Sequence, residues 1–432
     1  MIKVVNSGRV VPAAALLGFA SLVSRVMGLV RERVLTAAFG AGDIFDAFIA
    51  AFRVPDLVFN LVVVGALSAA FIPLFTKKIY GKKKDEEEAF GFALAVFNSV
   101  ILVVTVLSVV YVLAAPVVMK LVAPGFSGEK YALAVRLSRT MALQPILLGA
   151  SFVLSGILNS FKKFFVYALA PIFYNLGIIF GVLFLVPAMG VMGLGWGVVL
   201  GAALHMLVQL PSAIRVGFKW RPNIKWPAGD LKIMWRMMLP RVVGMAAAQV
   251  NMITVTVIGS GLMAGSIAVF HLANNVQYLP VGIFGISFAQ AAFPTLAEHV
   301  ARGDKKALKE TINRSFRYIM FLVVPTSLFF FLLRAQIVRV LFGAGAFDWE
   351  DTILTYQTFG WLIISVFAQA TVPLLARAFY VNHDTKTPVV ASVVSMAVNV
   401  FMAMILASYM GVQGLALAFS ISAIVNLLIL LG

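Results

Sequence analysis

This 432-residue chain contains no cysteine. Disulfides, thiolate metal sites and cysteine nucleophiles are therefore excluded. Histidine is almost as scarce. His205, His271, His299 and His383 are the only four, too far apart in sequence to make a ligand-spaced pair, so neither a metal nor another cofactor is expected. Charged residues make up only 12% of the chain, and 17 acids face 34 lysines and arginines. A net charge of +17 implies nucleic acid only when a soluble basic face or a binding motif carries it; neither is present, and no such partner is expected. There is also no positioned acid–base or nucleophile constellation, so the chain reads as a non-enzyme.

What the sequence does have is apolar length. Hydrophobic residues reach 62%, with a mean hydropathy of +1.00, which fits an all-α polytopic membrane protein. Lys3 and Arg9 precede an apolar stretch that runs on to Arg25, too long for a cleaved leader, so it reads as a retained first span. Breaks at polar and Gly/Pro-rich punctuation give about twelve candidate spans, near 11–39, 44–76, 89–118, 132–160, 164–187, 191–214, 233–261, 265–298, 308–333, 352–381, 386–409 and 412–431. With the N-terminus inside, KKIYGKKK, Lys162, Lys163, the basic run 215–232, Arg302, Lys305, Lys306, Lys309 and Lys386 all fall in cytoplasmic loops. The positive-inside rule then places both termini in the cytoplasm.

The chain also repeats itself. AAFIPLF at 69–75 resembles QAAFPTLA at 290–297, and MGVMGLGWG at 189–197 resembles MGVQGLALA at 410–418. Pro73 and Pro294, like Met189 and Met410, lie 221 residues apart. One shared offset implies two six-helix lobes, 1–214 and 233–432, joined by a basic cytoplasmic linker at 215–232 and related by a pseudo-two-fold axis along the membrane normal.

Against this apolar background the stretch SRVMGLVRER is conspicuous. Ser21, Ser24, Arg25, Gly28, Arg31 and Glu32 share one helical stripe. Asp46, Arg53, Asp56 and Asn60 form a second in the next span, interrupted by Pro55. His271, Asn274, Asn275 and Tyr278 form a third, followed by Pro280. Charges in hydrocarbon cost at least ~2.5–3.5 kcal/mol each, so such stripes face protein or a wet cavity. At about 1.5 Å per residue, Arg31 lies roughly 12 Å and Arg25 roughly 21 Å below the outer end of the first span. Arginine keeps its charge when buried and offers a planar fork to phosphate oxygens, which makes Arg25, Arg31 and Arg53, with the amides of Asn274 and Asn275, candidate substrate ligands. Ser24, Glu32, Asp46, Asp56, Asn60 and His271 are candidates for cavity, structural or coupling roles, and Pro55 and Pro280 for hinges. The alternative is that Arg31, Glu32, Arg53 and Asp56 pair with one another to hold two helices together.

The segment SRVMGLVRERVLTAAFGAGDIFDAFIAAFRVPDLVFN, followed by GALSAAFIPLF, resembles the opening two spans of the MurJ/MviN lipid II flippases, of the multidrug/oligosaccharidyl-lipid/polysaccharide exporter superfamily. QYLPVGIFGISFAQAAFPTLAEHVARGD and AFYVNHDTKTPV carry the likeness through the chain. The resemblance implies a monomeric, two-lobed transporter of the bacterial cytoplasmic membrane. It would move a polyprenyl-diphosphate glycolipid, the peptidoglycan precursor lipid II, outward by alternating access, with the membrane potential or an ion gradient as candidate energy sources. It also implies that Arg25 and Arg31 belong to a basic central cavity and that Asp46 matters for function. Phe59 and Asn275 stand where many relatives carry further cavity arginines, and Val64 where an acid is common. Relatives commonly have two more spans beyond the position of NLLILLG. An ion-coupled multidrug or other polysaccharide-lipid exporter of the same superfamily is the alternative reading.

Overall fold

The computed structural model describes residues 7–64, 71–81, 85–221 and 249–432, and among these there is no strand. The helices are α1 (Ser7–Phe39), α2 (Asp43–Val58), which continues as a π-helical segment Phe59–Val64, and α3 (Ile72–Tyr80). Next come α4 (Glu86–Val122), α5 (Gly128–Ser160), α6 (Phe164–Met189), α7 (Met192–Arg215) and α8 (Gln249–Gly259). After them follow α9 (Ser266–Ala301), α10 (Lys305–Leu332), α11 (Arg334–Phe342), α12 (Trp349–Ile363), α13 (Val366–Val381), α14 (Lys386–Met410) and α15 (Val412–Leu431). Eight of the described helices are long and apolar enough to cross a membrane, or nine if α12 and α13, bent by 43° at their junction, make one span. These coincide with nine of the twelve expected spans. The other three fall on α1, on α2 and α3 to either side of 65–70, and on α8; the last two expected ranges extend beyond the described residues.

Several local geometries recur at the 221-residue offset. The helix before each MGV motif ends on a glycine with positive φ, Gly190 at 66° and Gly411 at 58°, a conformation in which a side chain is strained. Three residues on, a Cβ at Gly193 would overlap the backbone of Leu185, and one at Gly414 would overlap that of Leu406, the same contact 221 residues later. The turns before α5 and α12 match as well. The Phe126 N–H donates to the Ala123 carbonyl at 3.1 Å and the Phe347 N–H to the Ala344 carbonyl at 3.1 Å, each with its ring buried. π-Helical segments recur at Phe59–Val64 and Val281–Ile286, which correspond more closely than the prolines do: Pro55 lies inside α2, whereas Pro280 immediately precedes its π segment.

The chain divides into two compact units. One comprises Met1–Ala38, Ala50–Leu121 and Ser127–Ala246; the other comprises Phe39–Ile49, Val122–Phe126 and Ala247–Gly432. In the first, stacked rings of Phe71, Phe75 and Phe92, 5.5 and 5.8 Å apart, anchor α3 to α4 within a core that includes Val63, Val100 and Leu154. Gly177 and Gly181 of α6 meet Gly201 and Gly197 of α7 so closely that any Cβ would strike the facing backbone, the small-residue packing that lets membrane helices approach. The acids after the KKK run suit a helix N-terminus: Asp85 accepts the Glu88 N–H at 2.8 Å and Glu86–Glu88 lie in the first turn of α4. Most of the expected linker, from 222 onward, lies outside the described residues. In the second unit, Leu296, Ile319, Val323 and Leu374 knit α9, α10 and α13 together.

Candidate functional site

Each unit holds a separate polar constellation. In the first, Arg31 donates from Nη1 to Asn175 Oδ1 of α6 at 3.1 Å and pairs through Nη2 with the adjacent Glu32, whose side chain is only 3% exposed. Asn175 is itself oriented, donating to the Pro171 carbonyl at 3.0 Å. On α2, the Asn60 amide donates to the Asp56 carbonyl at 2.9 Å, and Gln144 of α5 donates to Asp56 Oδ1 at 3.3 Å. Glu32 thus lies directly beside Arg31, and Asp56 is joined to α5 through Gln144. Asn175 and Gln144 were not among the sequence candidates, because a stripe built on charge passes over a lone amide on a neighbouring span.

Arg25 lies two turns deeper on α1 and differs from Arg31. It is half-buried, and among the described residues it makes no side-chain hydrogen bond or ion pair. Ser24 beside it is also half-buried, and a Cβ placed on Gly28 would meet nothing within 4 Å, so the stripe borders open space. Arg53 is half-buried on α2, three residues from Asp56. In the same unit, His205 Nδ1 sits 2.7 Å from Ser151 Oγ.

The second unit is built on amides. Asn275 Nδ2 lies 3.0 Å from His271 Nε2, Gln277 donates to Asn274 at 3.0 Å, and Gln277 and Gln369 exchange contacts at 3.2 and 3.3 Å. Gln369 donates onward to Ser365 at 2.8 Å. Gln277 and Gln369, like Asn175, were missed in the stripes.

Asp46 lies on α2 with Arg53 and Asp56, and its carboxylate is engaged as a structural group. It belongs to the second unit, whereas Arg53, Asp56 and Asn60 belong to the first. Its buried carboxylate accepts the Gly265 N–H at 2.8 Å and the Ala268 N–H at 2.9 Å, capping the N-terminus of α9. The physical reason is that the first turn of a helix has N–H groups without intrahelical partners and a partial positive charge, both of which a carboxylate satisfies. The same segment is tied again where the Ala41 N–H donates to Asp351 Oδ2 at 2.9 Å.

Comparison with known proteins decides the family. The profile described as "Lipid II flippase MurJ" matches residues 35–432. The chain belongs to the MurJ lipid II flippase family. It is 32% identical over 422 residues to the probable lipid II flippase MurJ of Rhizobium tropici, covering 95% of this chain and 78% of that one. Against the lipid II flippase MurJ of Burkholderia cenocepacia identity is 29%, with 95% and 81% covered. A solved MurJ structure in an inward closed conformation superposes with a TM-score of 0.83 at 26% identity, over 96% of this chain and 87% of that one. An inward-facing multidrug resistance MATE transporter of the MOP superfamily gives a TM-score of 0.80 over 96% of each chain, but at 14% identity that likeness concerns fold alone. MurJ membership and the apolar helices together make this a multi-pass, all-helical membrane protein.

Proposed function

We propose that this chain is a lipid II flippase of the bacterial cytoplasmic membrane, with both termini inside, which carries a polyprenyl-diphosphate glycolipid from the inner to the outer leaflet by alternating access. The observation that carries the reading within the family is Arg25. An arginine within an apolar span, bordering open space and without a partner among the described residues, is costly unless an anion completes it. Arg31, about 9 Å away along α1, is already balanced by Glu32 and held by Asn175, so its fork is preset. Two arginines so spaced, one preset and one without a counterion among the described residues, suit a diphosphate better than a hydrophobic cation. Moving one such charge across 100 mV is worth about 2.3 kcal/mol, enough for the membrane potential to drive a step; an ion gradient is the other candidate source.

The test is transport of a fluorescent lipid II in proteoliposomes. Arg25→Ala should insert and fold but abolish transport, and Arg25→Lys should restore only part of it, because an ammonium lacks the planar fork. Full transport by Arg25→Ala, or tighter binding of a hydrophobic cation than of the diphosphate lipid, would overturn the reading.

A further inference from the structure

The second unit contains a cavity of about 220 Å³ that shares Gln369 with the amide constellation above and otherwise has a lining of its own. Asn251 of α8, Tyr278 of α9, Gln369 of α13, Ser395 of α14, and Phe419 and Asn426 of α15 line it, and no lining residue is charged. A single buried water needs only ~10–15 Å³ of such space, so the void has room for a larger group. Its wall also holds an unsatisfied acceptor: among the described residues, Asn426 Oδ1 is buried without a hydrogen-bond partner. Behind the wall, Asn399 donates its amide nitrogen to the lining Asn251 Oδ1 at 3.1 Å, and its own Oδ1 has no partner among the described residues. Buried amide oxygens left unmade are destabilising and are normally satisfied by a ligand or by water.

We infer that this cavity is a subsite for an uncharged sugar of the cargo, separate from the arginines that take the diphosphate. Amide oxygens accept sugar hydroxyl and N-acetyl N–H groups, while Tyr278 and Phe419 offer apolar faces to the C–H side of a pyranose ring. Phosphate is disfavoured because no cation lines the wall, and a metal ion because no carboxylate does. The inference rests on the flippase reading: it assigns the glycan part of that substrate.

Native mass spectrometry with two lipids, bare polyprenyl diphosphate and the same lipid carrying its glycan, separates the two claims. The unmodified protein should retain the glycosylated lipid about tenfold more than the bare one. Asn426→Leu removes the amide, and Ala423→Leu fills the cavity from its lining. Either should bring the two lipids to within about twofold while leaving bare-lipid binding unchanged, which also shows that the variant is folded. Ser422→Cys gives a gentler readout in a chain free of other cysteines, since Ser422 also lines the cavity. Its alkylation should slow with the glycosylated lipid and not with the bare one. A preference that survives both leucine variants, or equal alkylation with both lipids, overturns the sugar subsite. Bare-lipid binding that is absent, or indifferent to Arg25→Ala, instead overturns the flippase reading and the subsite with it.

Discussion

Removing the Asp46 carboxylate should loosen one helix end in a measurable and local way. Asp46 is 1% exposed and accepts two backbone N–H groups, from Gly265 and Ala268. Hydrogen bonds to a charged acceptor contribute about 1.5–3 kcal/mol each, so Asp46→Ala loses about 3 kcal/mol even at the low end. Asp46→Asn keeps one acceptor oxygen and turns an NH2 toward the second donor, so it should lose about half as much, about 1.5 kcal/mol. Because a chain of two units need not unfold in one step, a melting temperature is the wrong readout. Amide hydrogen exchange is the right one. At about 1.4 kcal/mol per tenfold, Gly265 and Ala268 should exchange roughly a hundredfold faster in Asp46→Ala and roughly tenfold faster in Asp46→Asn, with α14 and α15 unaffected. A Cβ at Gly265, which has φ +85°, would strike the Ala41 carbonyl, so Gly265→Ala should speed exchange at the same amides without touching a carboxylate. Unchanged exchange at 265–268 in Asp46→Ala would refute the capping role.

The duplicated contacts give a paired test: Gly193→Ala and Gly414→Ala both drive a methyl into a facing backbone, so they should lower detergent-solubilised thermal stability by similar amounts, and a harmless change at either position would break the equivalence. Asp384, half-buried in the loop before α14, has its carboxyl held below the usual range by hydrogen bonds from the Thr387 hydroxyl, then from the Thr387 and Lys386 N–H groups. A depressed folded pKa stabilises above the unfolded value of about 3.9 and is lost as pH falls through the folded one. The stability gap between the native chain and Asp384→Ala should therefore be full at pH 6 and close in stronger acid; a gap that widens in acid would contradict this. For orientation, single cysteines at Glu87 and Lys163 should be labelled only from the cytoplasmic side and one at Glu129 only from outside; labelling of Glu87 and Glu129 from one face would overturn the topology. Gly81 and Gly125 are unsuitable for this purpose, since a Cβ at either would overlap a backbone carbonyl, of Lys77 and Ser260 respectively.

Much of the architecture was legible because membrane helices advertise themselves by length and hydropathy, and because two motifs at one offset expose a duplication. Gly190 and Gly411 then turn out to end their helices in the same left-handed conformation. What the stripes could not show is which residues their members meet. Asp46 falls at helical spacing from Arg53, yet its carboxylate satisfies a helix end that is more than 200 residues away in sequence, and no periodicity encodes a partner so distant. Asn175, Gln144, Gln277 and Gln369 were passed over for a related reason. A lone amide in an apolar run has no pattern of its own, and its meaning comes from the neighbour it bonds.

The 221-residue offset also pairs positions of different chemistry. It aligns Arg53 with Asn274 and Asp56 with Gln277, so the second half carries amides where the first carries charges. Each is still held by a glutamine from another helix, Asp56 by Gln144 of α5 and Gln277 by Gln369 of α13, although the offset aligns Gln144 with Ser365, to which Gln369 donates in turn. Replacing an arginine and an aspartate by neutral amides keeps hydrogen bonds while removing the cost of placing charge in hydrocarbon. The charges kept in the first half therefore call for a reason beyond helix packing, since amides suffice for packing in the second. Arg25 supplies that reason most directly, because Glu32 balances Arg31 while Arg25 has no protein counterion among the described residues. A diphosphate carries the charge that such a residue needs, and an uncharged glycan fits the chemistry of the amide-lined half.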